Sequence, residues 1–294
     1  FEGTFRKYHT QLGLAGTANG WLDAAADAAD KVMKGNKYQL LTSGSTEQNY
    51  RSLFNNETPN STVVMLAAVN NKALRVFNDA NWYWTSATYG GRYSFTKTFI
   101  NTYLNTDGTP FTAQADYNKI PFSEEVQHRD LRLTQSIRMK GYIRDGAVAP
   151  PDFTYTYTGY MPIKLTLDAK ATDGVAENFN SLPIIRYAEV LLNYAEAKAE
   201  RGAFLPADWD KTIALLRQRA GITVTGMPVA ADPYLHDHYF KDINDPVLLE
   251  IRRERGIELA LEGVRYDDLK RGHEGQLLTI PYEGMYVPAL NTPM

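Results

Sequence analysis

At 294 residues, 44% of them hydrophobic, the chain is long enough to bury one sizeable core or two smaller ones and reads as a globular protein. A formal net charge of -3 and a pI near 6.0 supply no long-range field for nucleic acid or an acidic membrane surface. No cysteine occurs, which excludes thiol catalysis, disulfides and thiolate metal sites, and no apolar run approaches the roughly 18 residues of a membrane span.

The chain enters on residues 1–12, which read as the tail of a helix, crosses a Gly-rich turn and continues into a second helix from Trp21 to Met33. In that helix Trp21, Ala25, Ala28, Ala29 and Val32 form the apolar face, Asp27 and Asp30 stand four residues before Lys31 and Lys34, and Gly35 is the stop. The two together predict a helical hairpin over residues 1–39.

From Leu40 to Leu182 the helical period fades and Gly, Asn, Thr, Pro and Tyr dominate. Val63 to Val69 reads as one buried strand, and Phe153 to Thr158 alternates as a strand on an edge would. Long connections of this kind are usually functional, so residues 40–182 are expected to carry the ligand-facing surface. Within them Asn81, Trp82, Tyr83 and Trp84, followed by Tyr89 and Tyr93, crowd aromatic rings into a Gly-, Asn- and Thr-rich stretch. A sugar has an apolar C–H face and a rim of hydroxyls, and a flat ring with an amide beside it, from Asn81 or Asn78, matches both. The competing reading is that these rings pin a long loop to the core. Tyr155, Tyr157 and Tyr160, with Phe153, extend the same platform or else form a cross-strand packing ladder.

Pro183 to Gly202 reads as a packed helix, with Ile184, Tyr187, Leu191, Tyr194 and Ala195 on one face and Glu189, Glu196 and Lys198 turned elsewhere. It is expected to pair with a helix over Asp208 to Ala220, whose inner face is Ile213, Leu216 and Ala220. Asp245 to Gly272 reads as one further helical segment, and residues 273–294 as loop. On it Glu250, Glu254, Glu258 and Glu262 lie four apart, a line of like charge that needs cations between its members, and Arg252, Arg253, Arg255 and Arg265 are on hand. Two of these carboxylates have the spacing of a glycosidase acid/base pair, but a structural Arg/Glu network is the stronger reading. His236-Asp237-His238 holds ligand-type side chains that point apart, so no metal site is assigned. No nucleophile elbow, phosphate loop, zinc-protease motif or dinucleotide fingerprint is present, and no cofactor is expected.

The strings Pro183–Gly202 and Asp245–Gly272, in this order and spacing, resemble the C-terminal region of the SusD/RagB family. So do Phe1 to His9, Tyr103-Leu104 with Asp107-Gly108-Thr109-Pro110, and Arg129-Asp130-Leu131-Arg132-Leu133, where Leu131 replaces the family's proline. The resemblance implies a mostly α, SusD-like fold: tetratricopeptide-like helical hairpins with a long irregular loop and short-strand insertion, here a single domain fragment cut at both ends. It implies a non-enzymatic, surface-exposed outer-membrane lipoprotein of Bacteroidetes-type bacteria that binds glycan for nutrient uptake and passes oligosaccharide to a SusC-like TonB-dependent transporter. Membrane attachment would come only through a lipid anchor on a missing N-terminal segment. The alternative is a helical-repeat scaffold for protein or peptide at the cell surface.

Overall fold

The computed structural model describes residues 11–85 and 90–288. The expected helix over residues 1–12 falls almost entirely outside them. In chain order the helices are α1 (Ala18–Lys34), α2 (Ala80–Thr85), α3 (Lys97–Ile100), α4 (Phe122–Glu125), α5 (Leu131–Ser136), α6 (Tyr187–Glu200), α7 (Pro206–Asp210), α8 (Ile213–Arg219), α9 (Pro233–His238), α10 (Pro246–Glu258) and α11 (Arg265–Arg271). The strands are β1 (Val64–Ala68), β2 (Ile143–Arg144), β3 (Ala147–Val148) and β4 (Leu182–Arg186), paired antiparallel as β1 with β4 and β2 with β3. The fold is therefore mostly helical, with strands only as two short ribbons. No helix among the described residues is long and apolar enough to cross a membrane.

Helix α1 starts where Thr17 accepts the Gly20 N–H at 3.0 Å and stops where the Gly35 N–H reaches back to Lys31 and Val32. Its buried residues are Leu22, Ala26 and Ala29, so the expected inner face is corrected: Trp21, Ala25 and Ala28 remain exposed. An alanine-rich helix offers two apolar stripes, and the stripe carrying Leu22 is the one that meets α6. Leu22 and Ala26 cluster with Ala197, Ala29 with Val190 and Tyr194, and Met33 with Tyr187. Contacts that climb one helix while descending the other make the pair antiparallel, and Arg201 closes its end on Asp23 at 2.7 Å.

Three other boundaries differ from the sequence reading. Pro183 to Arg186 is strand rather than helix: Pro183 has no N–H to donate, Ile184 and Ile185 are β-branched, and the helix begins only at Tyr187. The segment Asp208–Ala220 breaks between α7 and α8, where the Thr212 hydroxyl takes the Asp208 carbonyl that the helical ladder would have used. The segment Asp245–Gly272 breaks between α10 and α11, where Leu261 (φ 65°) and Gly263 (φ 86°) turn left-handed. Leu131 occupies the first position of α5, one that proline favours, yet its N–H bonds the Ala220 carbonyl at 3.0 Å. Leucine thus supplies a tie to the end of α8 that proline lacks.

The main core joins α6, α7, α8 and α10 through Leu191, Leu192, Ala195, Trp209, Ile213, Leu216 and Ile251. Leu191 and Tyr194 are buried and Tyr187 half-buried, while Ile213, Leu216 and Ala220 form the buried face expected of them. Glu196 does not look outward as its spacing suggested. It is buried because Arg271 grips it at 2.6 and 2.7 Å, with Arg252 at 3.5 Å and Arg255 at 3.9 Å.

Candidate functional site

The site is built on α2, and the anchor of that helix is an asparagine lattice. Asn81 is fully buried. Its amide nitrogen donates to the Leu167 carbonyl, Thr172 Oγ1 and Asp173 Oδ1 at 2.9 to 3.0 Å, and its amide oxygen accepts from Leu167 N and Asn178 Nδ2 at 2.8 and 2.6 Å. Asn78 ties the preceding turn to Asn178 and Asn180 in the same way. Such satisfied buried amides fix one geometry, because each unmade bond in this interior costs free energy. Asn81 therefore offers no amide to a ligand, and the half-buried Asn78 already spends its side chain on the Asn180 carbonyl and the Ala80 N–H.

With Asn81 and Thr85 facing inward, the residues between them turn toward the surface. Trp82 and Trp84 are half-buried and Tyr83 is 45% exposed. The Trp82 and Tyr83 rings meet edge to face at 5.0 Å, and Trp84 leans on Tyr93 at 4.9 Å with a 39° tilt. Tyr93 keeps 47% of its surface free. Tyr89 lies outside the described residues.

Residues 153–158 are not the strand their alternation suggested. Asp152 accepts the Thr154 N–H at 2.8 Å and its carbonyl the Tyr155 N–H at 2.9 Å, which curls the segment into a turn. An alternation survives only from Thr156 on, where Thr156 and Thr158 point inward and Tyr157 outward, while Thr154 is exposed. Thr156 Oγ1 meets Ser94 Oγ at 2.8 Å, and Thr158 Oγ1 donates to the Phe95 carbonyl at 2.6 Å. Tyr157 is left 73% exposed beneath Arg92, whose guanidinium lies 5.3 Å from the ring centre. Tyr155 is half-buried beside it. Tyr160 belongs to the core instead: it is fully buried, and its hydroxyl donates to Glu125, which Lys97 also approaches at 3.3 Å. Gly159 (φ 86°) lets the segment of Met285 close over this turn, since a Cβ there would meet the methionine sulfur at 2.6 Å.

The structure thus leaves Tyr83, Tyr93 and Tyr157 exposed, with Trp82 against Tyr83, Trp84 against Tyr93 and Arg92 over Tyr157, and places Asn81 and Tyr160 in the interior. The amide partners Asn178 and Asn180 and the tie through Arg92, Ser94 and Thr156 were missed from sequence, because nothing local marks a pairing across more than 60 positions.

The glutamate row is fully paired. Glu250 bonds Arg217 and, at 3.0 Å, Arg253; Glu254 bonds Arg132 and Arg217. Glu258 bonds Arg186, Arg132 and Arg219, and Glu262 bonds Arg186 at 2.7 Å and Lys164 at 2.6 Å. Burial would raise these carboxyl pKa values, but the arginines win and hold Glu250, Glu258 and Glu262 below the usual range. Burial acts on Lys164 without full compensation from Glu262, and its pKa falls to about 8. His236 and Asp237 bond each other at 2.8 Å, and the described residues contain no cluster suited to a metal ion.

Residues 36–289 match the sequence profile of the SusD family. The chain belongs to the SusD family. Solved structures share this SusD-family fold. A SusD-like carbohydrate-binding protein from Bacteroides fragilis NCTC 9343 superposes with a TM-score of 0.66 at 24% identity, covering 87% of this chain and 50% of that one. A second SusD-like protein from the same organism gives 0.58 at 23% identity, covering 85% and 52%. Surface glycan-binding protein A from Bacteroides fluxus gives 0.51 at 17% identity, covering 90% and 52%. The chain spans about half the length of these structures. No curated protein sequence matches it.

Proposed function

We propose that this SusD-family chain binds oligosaccharide on an aromatic shelf of Trp82, Tyr83, Trp84, Tyr93 and Tyr157, flanked by Tyr155. The observation that carries the reading is the exposure of ring faces on a backbone locked by buried amides. The exposed rings of Tyr83, Tyr93 and Tyr157 can accept the C–H face of a sugar, and a backbone fixed by hydrogen bonds adds little ordering cost on binding. Two of the similar structures are described as carbohydrate- or glycan-binding, which agrees.

The chain breaks no bond in this reading. A carboxylate pair working by acid/base catalysis needs one member protonated near neutral pH, and Glu250, Glu258 and Glu262 are tuned the opposite way. Family membership extends the proposal to its setting: a lipid-anchored protein at the bacterial outer-membrane surface that delivers its oligosaccharide to a SusC-like TonB-dependent transporter. One observation favours a second reading, a scaffold for protein or peptide. The exposed stripe of Trp21, Ala25 and Ala28 on α1 borders an open groove of about 750 Å³ against α6 and α11.

Retention of the chain on immobilised oligosaccharides separates the two. The glycan reading expects retention that free oligosaccharide competes away and that Tyr157→Ala weakens. Retention on peptide libraries alone, abolished by Trp21→Ala, would replace it with the scaffold reading.

A further inference from the structure

Among the described residues two buried arginines make no ion pair: Arg129 spends its terminal nitrogens on the carbonyls of Glu125, Ile100 and Tyr103, whereas Arg138 has no such partners. The side chain is only 7% exposed, and its Nε is buried without an acceptor. Neither terminal nitrogen makes a hydrogen bond or ion pair among the described residues, and neither is among the sealed, unpartnered atoms, so the remaining solvent contact sits on them. The neighbouring acids are already engaged. Asp168 takes Arg51 at 2.9 and 2.6 Å together with the Tyr142 hydroxyl, Asp173 takes Arg144 and Asn81, and Asp152 caps its own turn at Thr154. Tyr142 supplies a ring 5.6 Å away, which leaves the guanidinium edge open.

An unpaired guanidinium held this deep is costly, because a charge leaving water needs a partner of opposite sign. What remains is a fork with its stem packed and its two terminal nitrogens outward, the arrangement that receives a carboxylate on two parallel hydrogen bonds. Its position ties it to the shelf. The Arg138 backbone N–H bonds the Met161 carbonyl at 2.9 Å, and Met161 lies four residues beyond Tyr157, a stretch of at most roughly 14 Å of extended chain. An oligosaccharide of a few units bridges such a gap.

We infer that Arg138 is a carboxylate receptor beside the aromatic shelf, so that the ligand is an acidic oligosaccharide with a uronic-type carboxyl group. The inference rests on the glycan-binding reading. It assigns the rings to stacking and Arg138 to selection by charge.

The test is calorimetry of the whole chain against galacturonate, mannuronate and hyaluronan oligosaccharides, each beside its carboxyl-reduced form. The expected result is that at least one acid binds about ten-fold or more tightly than its reduced form, as a desolvated bidentate pair implies. Arg138→Gln should erase that difference, and Arg138→Lys should restore part of it. Tyr157→Ala should weaken both forms alike. If the glutamine variant does not fold, salt decides on the unaltered chain, since added NaCl should weaken the acid and spare the reduced form. Equal affinity for both forms, or a preference that survives Arg138→Gln, overturns the inference. Binding of neutral oligosaccharides alone removes the carboxylate receptor and leaves the glycan reading standing, whereas no binding of any oligosaccharide removes both.

Discussion

The glutamate row of α10 and the aromatic shelf of α2 are both dense concentrations of one kind of side chain, and the fold treats them oppositely. Every carboxylate of the row is buried against cations, Glu258 taking three arginines and Glu262 one arginine and Lys164. Among the aromatic residues of the proposed shelf, Tyr83, Tyr93 and Tyr157 keep 45%, 47% and 73% of their surface exposed. The lesson is that density of chemistry along a sequence does not by itself mark a site. The row is consumed in positioning helices against one another, whereas the exposed rings are what the glycan proposal needs.

Acid should break the first half of that comparison with the largest effect. Glu196, held at about 2 against burial by Arg271, Arg252 and Arg255, titrates with Glu250, Glu258 and Glu262, all lowered in the folded chain. A depressed carboxyl contributes stability above its unfolded pKa near 4.5 and loses it as pH falls through the folded value. Denaturant midpoints should therefore fall steeply from pH 4.5 toward 2. A flat profile there would mean that the network is not holding the helices. Next in size, Glu258→Ala leaves Arg132, Arg186 and Arg219 facing each other and should cost about 3 to 5 kcal/mol in urea unfolding. A loss under about 1 kcal/mol would put the pairing energy elsewhere. Smaller again, Asn81→Ala should cost about 3 kcal/mol, the upper end for a buried group stripped of its partners. This variant sharpens the contrast, because Asn81 stands in the aromatic string by sequence and in the core by packing.

Much of the helical half was legible before the structure. Gly35 stops α1 as expected, Asp245 and Pro246 open α10, and the need for cations beside four like-charged glutamates was visible. Of Arg252, Arg253, Arg255 and Arg265, however, only Arg253 pairs with the row among the described residues, and the rest of the charge comes from Arg132, Arg186, Arg217, Arg219 and Lys164. The misread boundaries have local causes of a kind that periodicity does not register: a β-branched pair behind Pro183, a hydroxyl that competes for a carbonyl at Thr212, a left-handed Leu261. Which alanine stripe of α1 faces inward is decided by α6, and so is not written in α1. At the shelf the crowding of rings was visible. The roles of its neighbours were not, because Asn81 could serve a ligand or the core with the same amide, and only Asn178, almost a hundred positions away, decides between them.

Calorimetry of the chain and its Tyr157→Ala and Trp84→Ala variants, against one panel of oligosaccharides, tests the central claim most directly. Tyr157 is mostly exposed and Trp84 half-buried, so far-UV spectra and unfolding midpoints should stay near those of the parent for Tyr157→Ala. The account predicts that each substitution weakens binding by about 1 to 3 kcal/mol, by analogy with bases stacked on aromatic side chains. Unchanged affinity in both folded variants would contradict it.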